Sequence, residues 1–231
     1  MEDIFIKTWE EKGLNLDEDI HFMFVGGQFF GKGGREILEV FQDLKNSKRY
    51  PIKLTIISSL TPDTYASNTS EKDVGLVKRI LDDNNTWIEY HKYLPNQDVL
   101  DLMKTAHVGL LPTYADTYGY SVLEFQASGC PAITTNVRAL PEINNDEVGW
   151  LIPVRKHSSG EGYYATDLER KAMQQNIKTG LKAILIDILE NKKQIIQKAN
   201  NALKQIENNH SPEKFGLKML NIYSEAIKIN K

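Results

Sequence analysis

The amino-acid sequence predicts an α/β fold, with a Rossmann-like parallel sheet of five or six strands, flanked by helices and followed by C-terminal helices. Three observations lead to this prediction. From Asp19 onward, short apolar runs alternate with amphipathic stretches, as they do where helices join parallel strands. Glycines follow the first apolar run directly. Apolar residues near the C-terminal end recur at helical spacing.

The predicted sheet consists of six apolar runs of strand length. Each run is bounded by residues that interrupt strands. Gly26 and Gly27 close the first run, and Pro112 ends the fourth because proline has no N–H for a strand ladder. In chain order the predicted strands are residues 21–25, 52–58, 87–90, 108–111, 132–135 and 149–152.

The first predicted helices are identified by apolar residues at intervals of three and four. Ile37, Leu38 and Phe41 define a helix over residues 34–44. Residues 59–70 are polar and rich in serine, threonine and proline, so we expect a loop there. A second helix then begins near Val74.

Cap residues and glycines indicate where the later helices begin. Asn96 occupies the position of a helix cap before a third helix. Gly119 leads into a helix predicted over residues 118–128. A polar loop at residues 157–162 separates the sheet from the C-terminal helices, and the Ser-Pro pair at 211–212 is a good start for the last of them.

Composition and charge are those of a globular α/β domain. The chain has 231 residues, and 28 basic against 31 acidic side chains give a net charge of −3. This balance provides no long-range field for binding nucleic acid or anionic lipid. We expect a lead-in at residues 1–18, a Rossmann-like core at 19–156 and a helical segment of the same domain at 157–231.

Cysteine usage and the first residues favour a cytoplasmic protein. Cys130 is the single cysteine, which excludes an internal disulfide and a multi-cysteine zinc site. No nearby histidine offers a base, so this thiol is interpreted as a packing residue and not a nucleophile. The start of the sequence lacks the apolar run of a signal peptide, and no apolar stretch reaches membrane-spanning length.

The segment FVGGQFFGKGGREIL, residues 24–38, is typical of a phosphate-binding turn between a strand and a helix. Its glycines let backbone N–H groups approach an anion, the helix start adds partial positive charge, and Lys32 supplies a full charge. It is not a Walker A loop, because Gly33 stands where a magnesium-binding hydroxyl is required. The glycine spacing also fails the dinucleotide fingerprint. The alternative is a purely structural turn with Lys32 in solvent.

The segment LPTYADTYGYSVLEFQASGCPAITT, residues 111–135, brings two acids to one predicted sheet edge. Asp116 follows the fourth strand, and Glu124 lies at least one helical turn beyond Gly119. Ligands of doubly wound sheets bind at the carboxyl ends of the strands. Free amides of residues 118–121 would donate to a phosphate or a sugar. Either acid alone is better explained as a cap or surface residue, but the pair beside a glycine turn favours a ligand site.

These segments resemble the family 4 glycosyltransferases, also called group 1 transferases. The family signature has two glutamates separated by seven residues in a run resembling P-S-x-x-E-G-F-G-L-x-x-L-E-A-M-A-x-G-x-P, and this chain reads PTYADTYGYSVLEFQASGCP. FVGGQFFGKGG resembles the G-R-x-x-x-K-G loop of the family, and ALPEINNDEVGWLIP resembles its P-E-x-x-x-x-x-x-G segment. The resemblance runs from about residue 22 to residue 153 and implies the C-terminal, donor-binding half of a two-domain GT-B architecture.

The resemblance implies a role for each matching residue. Lys32 matches the lysine that neutralises the donor diphosphate, Asp116 the acid near the sugar and phosphates, and Glu124 the acid that holds the ribose hydroxyls. Backbone amides of residues 119–121 would hold the sugar and diphosphate. The three charged residues are the candidate catalytic residues. The candidate donor-binding residues are Gly27, Gln28, Lys32, Tyr93, Asp116, Tyr118, Gly119, Tyr120, Ser121 and Glu124.

Two positions depart from the family pattern, and one assignment has an alternative. Asp116 is one methylene shorter than the usual glutamate, so its sugar contact is expected to be weaker or bridged by water. Gln28 stands at the arginine position and keeps hydrogen-bond donors without the charge, so Lys32 and the helix start must bear the diphosphate. Tyr93 follows the third strand, where the family places the nucleobase, but packing in the core explains an aromatic residue there as well.

The implied function is that of a retaining hexosyltransferase of polysaccharide biosynthesis, with a UDP- or GDP-type sugar donor, electrostatic catalysis and no required metal. Residues 1–18 are too few to form an acceptor domain, so we expect the chain to be inactive without an N-terminal half. Any membrane association would come from that half, and exposed apolar surface near the ends of the last helix would bind it. The alternatives are a non-catalytic nucleotide-sugar-binding or regulatory module and a dehydrogenase-like dinucleotide domain.

Overall fold

The computed structural model of the protein describes residues 8–48 and 50–229. Residues 1–7, to which the expected lead-in and the expected lack of a signal peptide partly refer, lie outside the described residues. The strands are β1 (Ile20–Val25), β2 (Ile52–Ile57), β3 (Ile88–His91), β4 (Val108–Leu111), β5 (Ala132–Thr135) and β6 (Trp150–Ile152). The α-helices are α1 (Gly34–Lys48), α2 (Glu71–Asp83), α3 (Asn96–Thr105), α4 (Tyr120–Ala127), α5 (Leu140–Ile143), α6 (Asp167–Glu190), α7 (Lys193–Asn209) and α8 (Pro212–Ile229).

The six strands form one parallel sheet in the order β3-β2-β1-β4-β5-β6. The chain builds outward from β1 to β3, then returns to place β4 on the other side of β1. This is the strand order of doubly wound Rossmann folds, so the predicted fold class is confirmed. The reversal between β1 and β4 opens a crevice at their carboxyl ends, where such folds bind ligands.

The hydrophobic core covers the sheet and continues under the C-terminal helices. Phe22 and Phe24 of β1 are fully buried, and Ile37, Leu38 and Phe41 of α1 are buried at the spacing that predicted this helix. The helix α6 packs against α1, and α7 packs against α4. The C-terminal helices thus pack on helices that cover the sheet.

The predicted elements are present, although α1 continues to Lys48, beyond the predicted end at residue 44, and α2 begins at Glu71, before Val74. Three further differences follow. β4 and β5 have the predicted limits. The helix expected from residue 118 begins at Tyr120, because Gly119 adopts a left-handed backbone (φ 88°, ψ 47°) as its N-cap. Asn96 is the first helical residue and not the cap, because Pro95 has the extended backbone of the N-cap position (φ −55°, ψ 146°). The four-residue helix α5 was not predicted.

A half-buried lysine joins the segment before β1 to the turns that precede β4 and β5. Lys12, at the end of a short 3₁₀ helix (Trp9–Lys12), donates hydrogen bonds to Ala106 O at 2.6 Å and Gly129 O at 3.3 Å. These carbonyls follow α3 and α4, where helices leave acceptors unpaired. Burial lowers the pKa of Lys12 to about 8 and raises that of the neighbouring Cys130 thiol to about 11. Cys130 is fully buried, which agrees with its interpretation as a packing residue.

The last helix packs against little of the described chain. It begins where predicted, and Ser211 Oγ accepts the Lys214 amide at 3.3 Å. Its large apolar side chains are exposed: Phe215, Leu217, Leu220, Ile222, Tyr223 and Ile227. Over the described ranges, no helix has both the length and the hydrophobicity needed to cross a bilayer.

Candidate functional site

Two loops meet at the crevice, one after β1 and one after β4. Gly31 O accepts the Tyr114 amide and the Thr113 hydroxyl, both at 3.0 Å. Gly33 has a φ of 82°, and a Cβ there would overlap the Pro112 carbonyl oxygen. Glycine is required at this position because the two backbones approach too closely for any side chain. The sheet topology and these contacts bring together the two segments that carry Lys32 and Asp116.

Lys32 and Asp116 form an ion pair across the junction of the loops. Lys32 Nζ donates to Asp116 Oδ2 and, at 3.3 Å, to Ala115 O. Both side chains are largely buried, so water screens the pair less than it would at the surface. The alternative in which Lys32 is merely solvated is therefore wrong.

The other oxygen of Asp116 binds the turn that precedes α4. Asp116 Oδ1 accepts the Gly119 amide at 2.8 Å and the Tyr118 amide at 3.2 Å. The expectation that the amides of residues 118–121 are all free is therefore wrong for Tyr118 and Gly119, because an aspartate readily accepts the amides two and three residues ahead. In the part of the chain that the structure describes, the amides of Tyr120 and Ser121 have no hydrogen-bond partner.

The loop after β1 has two exposed amides at its beginning, those of Gly27 and Gln28. Among the described residues, nothing accepts the amides of Gly27 and Gln28, and both residues are exposed. The amides nearer α1 are used within the turn, where Gly33 donates to Phe30 O and Gly34 to Phe29 O. The first turn of α1 also contains a buried acid, Glu36. The amides of Gly33 and Gly34 are therefore not available to an anion, and a buried carboxylate lies in the same turn of the helix.

Glu124 is a half-buried carboxylate without a hydrogen-bond partner among the described residues. It lies in α4, five residues after the Gly119 cap. Burial raises its pKa above the ordinary value, because the charged form loses hydration. Ser121, one turn earlier on the same helix, is partly exposed. A ligand hydroxyl could satisfy this carboxylate, which nothing in the described protein does.

The three candidate tyrosines differ in position. Tyr93 follows β3 and is 78% exposed, so the alternative that it packs in the core is wrong. β3 is an edge strand two positions from β1, which places Tyr93 to one side of the crevice. Tyr118 and Tyr120 flank the Gly119 turn with ring centroids 5.5 Å apart, and Tyr120 is 73% exposed.

Sequence reasoning missed the side chains that shape the loop after β1. Ser58 Oγ donates to Gly26 O at 2.5 Å, and Ser59 Oγ donates to Gly27 O. These contacts turn the carbonyls of the loop toward the end of β2. The available signal was the pair of serines at the end of the second predicted strand, because parallel neighbours end at the same edge.

A buried acid and phenol also join the two loops, and the sequence did not reveal them as a pair. Tyr114 donates to Glu36 Oε1 at 3.0 Å, and both side chains are buried. Burial raises the pKa of Glu36, while the adjacent Arg35 opposes that rise. Within the described ranges, no three histidine, cysteine, aspartate or glutamate side chains are grouped as metal ligands would be.

Comparison with known proteins identifies the family. The sequence profile described as "Glycosyl transferases group 1" matches residues 5–182, which is more than half of the chain. The chain belongs to the group 1 glycosyltransferases. It is 26% identical over 126 residues to O-antigen chain mannosyltransferase B of Escherichia coli, an alignment that covers 54% of this chain and 30% of that protein. The alignment with a capsular polysaccharide biosynthesis glycosyltransferase, CapM of Staphylococcus aureus, is also 26% identical and covers 33% of that protein.

Solved structures share the fold of this group 1 transferase domain. Anabaena HepE in complex with UDP superposes with a TM-score of 0.65 at 13% identity, over 90% of this chain and 49% of HepE. The C-terminal domain of a group 1 family glycosyltransferase, LpcC from Francisella tularensis, gives a TM-score of 0.60 at 16% identity, over 88% of this chain and 91% of that domain. The chain thus spans about a third of the curated relatives and about half of HepE.

Proposed function

We propose that the crevice between β1 and β4 is the donor site of a retaining glycosyltransferase of family 4, which moves a hexose-type sugar from a nucleoside diphosphate to an acceptor hydroxyl. One observation carries this proposal: the segments that follow β1 and β4 carry a lysine, backbone amides and a half-buried carboxylate, and within the described residues the amides and the carboxylate have no hydrogen-bond partner. The group 1 membership of the chain and the UDP complex of HepE support it.

The contacts suggest how the donor would be divided along the crevice. Lys32 and the amides of Gly27 and Gln28 would bind the diphosphate, because they are the unshared or cationic donors at the end of β1. Glu124 would accept hydrogen bonds from the ribose hydroxyls. The amides of Tyr120 and Ser121 would hold the sugar or its phosphate.

The remaining contacts would be made to the nucleobase and the sugar, and the leaving diphosphate would be stabilised by charge. Tyr93, beyond β3, would stack on the nucleobase, and Tyr118 would flank the sugar with Tyr120. Asp116 would contact the donor sugar. Loss of the nucleoside diphosphate leaves negative charge on the phosphate oxygens, and Lys32 with preorganised amides would stabilise that charge electrostatically, without a required metal.

A second, N-terminal half would provide the acceptor site. The chain corresponds to about half of HepE, and residues 19–156 with the helical segment 157–231 would form one donor domain of a GT-B enzyme. The exposed apolar face of α8 would pack against the other half, since an apolar patch of this kind marks an interaction surface. We expect no transfer by the chain alone and place the protein in the cytoplasm, with any membrane contact made by the other half.

Thermal denaturation with UDP, GDP, ADP and their sugars tests the proposal. A ligand at 100 times its dissociation constant adds about 2.7 kcal/mol of stability, which for this size raises Tm by roughly 5 to 10 °C. Lys32→Ala and Glu124→Ala should each weaken the preferred diphosphate by about 1.5 to 3 kcal/mol, as for other charged hydrogen bonds. Lys204→Ala and Glu207→Ala, at exposed positions on α7, are the matched controls.

Three outcomes would change the assignment. If Lys32→Ala and Glu124→Ala bind the preferred diphosphate as tightly as wild type does, the site assignment is wrong. Stabilisation by a nicotinamide dinucleotide alone would favour the dehydrogenase-like alternative. Tight donor binding without transfer, after the chain is joined to its own N-terminal half, would favour a non-catalytic binding module. The observation that favours this alternative is that Gln28 and Asp116 replace the arginine and the glutamate of the family pattern.

A further inference from the structure

The Asp116 carboxylate makes the contacts that a bound anion would make. One of its oxygens binds the Lys32 ammonium, and the other accepts the amides of Gly119 and Tyr118. A lysine and two successive amides at the carboxyl edge of a Rossmann sheet are donors suited to a phosphate oxygen. These donors come from two loops, and all of them are used by the one side chain of Asp116.

Lys32 has one positive charge to share between Asp116 and a bound diphosphate. Gln28 is neutral, and Arg35 is engaged by Glu36 at 3.4 Å and Asp73 at 3.5 Å. No other lysine or arginine in the described chain contacts Asp116. A diphosphate entering beside an unmoved Asp116 would place two anions against one cation at a largely buried ion pair, where their repulsion is weakly screened.

We propose that Asp116 is an internal occupant of the donor site, which a nucleoside diphosphate must displace from Lys32. The inference rests on the proposed function of this crevice. Displacement has a second consequence, because it releases the carboxylate beside the amides of Tyr120 and Ser121, where the sugar would lie. Asp116 then becomes available to the sugar only after the diphosphate has taken Lys32.

The decisive variant is Asp116→Asn, which removes the charge but keeps a carbonyl oxygen that can accept the Gly119 amide. Isothermal titration at low salt should show that the diphosphate preferred among UDP, GDP and ADP binds about tenfold tighter to this variant, because the Lys32 ammonium no longer has to give up a charged hydrogen bond to Asp116 before it binds phosphate. The corresponding nucleoside without phosphates should bind both proteins equally. In a Lys32→Ala background, Asp116→Asn should give a much smaller gain, because the two anions no longer compete for one cation.

Each result has a distinct meaning. If wild type binds a diphosphate and Asp116→Asn binds it equally or more weakly, the internal-occupant proposal is wrong and the donor site stands. If wild type binds none of the three diphosphates, the proposed function itself fails. A crystal structure of the wild-type protein with its preferred diphosphate gives a test independent of any variant: Lys32 Nζ should contact phosphate and have left Asp116 Oδ2, and a retained contact would overturn the proposal.

Discussion

Gly119 is the residue whose replacement tests the geometry of the site most directly. Its backbone is left-handed (φ 88°, ψ 47°), it caps α4, and its amide is bound by Asp116. A Cβ at this position would lie 2.6 Å from Leu140 Cδ2 and 3.2 Å from Ile143 Cδ1. Both side chains are buried, so neither has free space into which to move.

The cost of Gly119→Ala has two parts. A left-handed backbone costs an L-residue roughly 1 to 2 kcal/mol. Relieving the overlap with α5 in a packed core adds about 1 to 3 kcal/mol. We therefore expect a loss of about 3 kcal/mol of unfolding free energy, or a fall in Tm of roughly 6 to 12 °C for a domain of this size.

Gly75→Ala is the matched control for the same chemical change. Gly75 lies inside α2, and a Cβ there would meet nothing within 4 Å. Alanine inside a helix is favoured over glycine by about 1 kcal/mol, so Tm should rise by roughly 2 to 4 °C. Differential scanning fluorimetry of both variants is the assay. A Gly119→Ala protein as stable as wild type would refute the left-handed turn, and with it the positioning of Asp116 and α4.

Two further predictions concern buried groups at the amino ends of the strands, opposite the edge that carries the candidate site. Burial lowers the pKa of His21 and His107 to about 4, whereas the unfolded chain keeps about 6.5. As the pH falls, the unfolded state therefore binds protons first, and the free energy of unfolding should fall by about 3 kcal/mol or more between pH 6.5 and pH 4. Urea denaturation across this range measures the loss. NMR ring signals showing that either histidine is protonated in the folded protein above pH 6 would contradict the prediction. Burial raises the pKa of the Cys130 thiol to about 11, so this thiol should not react with a disulfide reagent at pH 8 until urea unfolds the chain. Rapid reaction in the folded protein would show instead that Cys130 is accessible.

The strands were predictable because their signal is local. Each strand of a sheet covered on both faces is a short, nearly continuous apolar run, and glycine, proline or polar residues on either side interrupt it. β4 and β5 accordingly lie where their runs predicted them. The helix α5 escaped prediction because four residues are too few to show a helical period.

The members of the candidate site were predictable, but their pairing was not. Lys32 was identified by the glycines around it, and Asp116 and Glu124 by their places after the fourth strand and after Gly119 and by the resemblance to the family signature. Lys32 and Asp116 are 84 residues apart, and only the neighbouring positions of β1 and β4 in the sheet bring them together. The same holds for Glu36 and Tyr114, which are 78 residues apart.

By itself, the sequence determined the fold class, the order of the elements and the candidate residues for binding a phosphorylated sugar, because propensity, periodicity and motif spacing act over neighbouring residues. Only the tertiary structure decided which donors are free. Asp116 accepts the amides of Tyr118 and Gly119 and pairs with Lys32, whereas no residue that the structure describes contacts the Glu124 carboxylate through a hydrogen bond. The physical reason is that hydrogen-bond satisfaction and burial depend on which atoms meet in space, and these contacts join segments far apart in the chain.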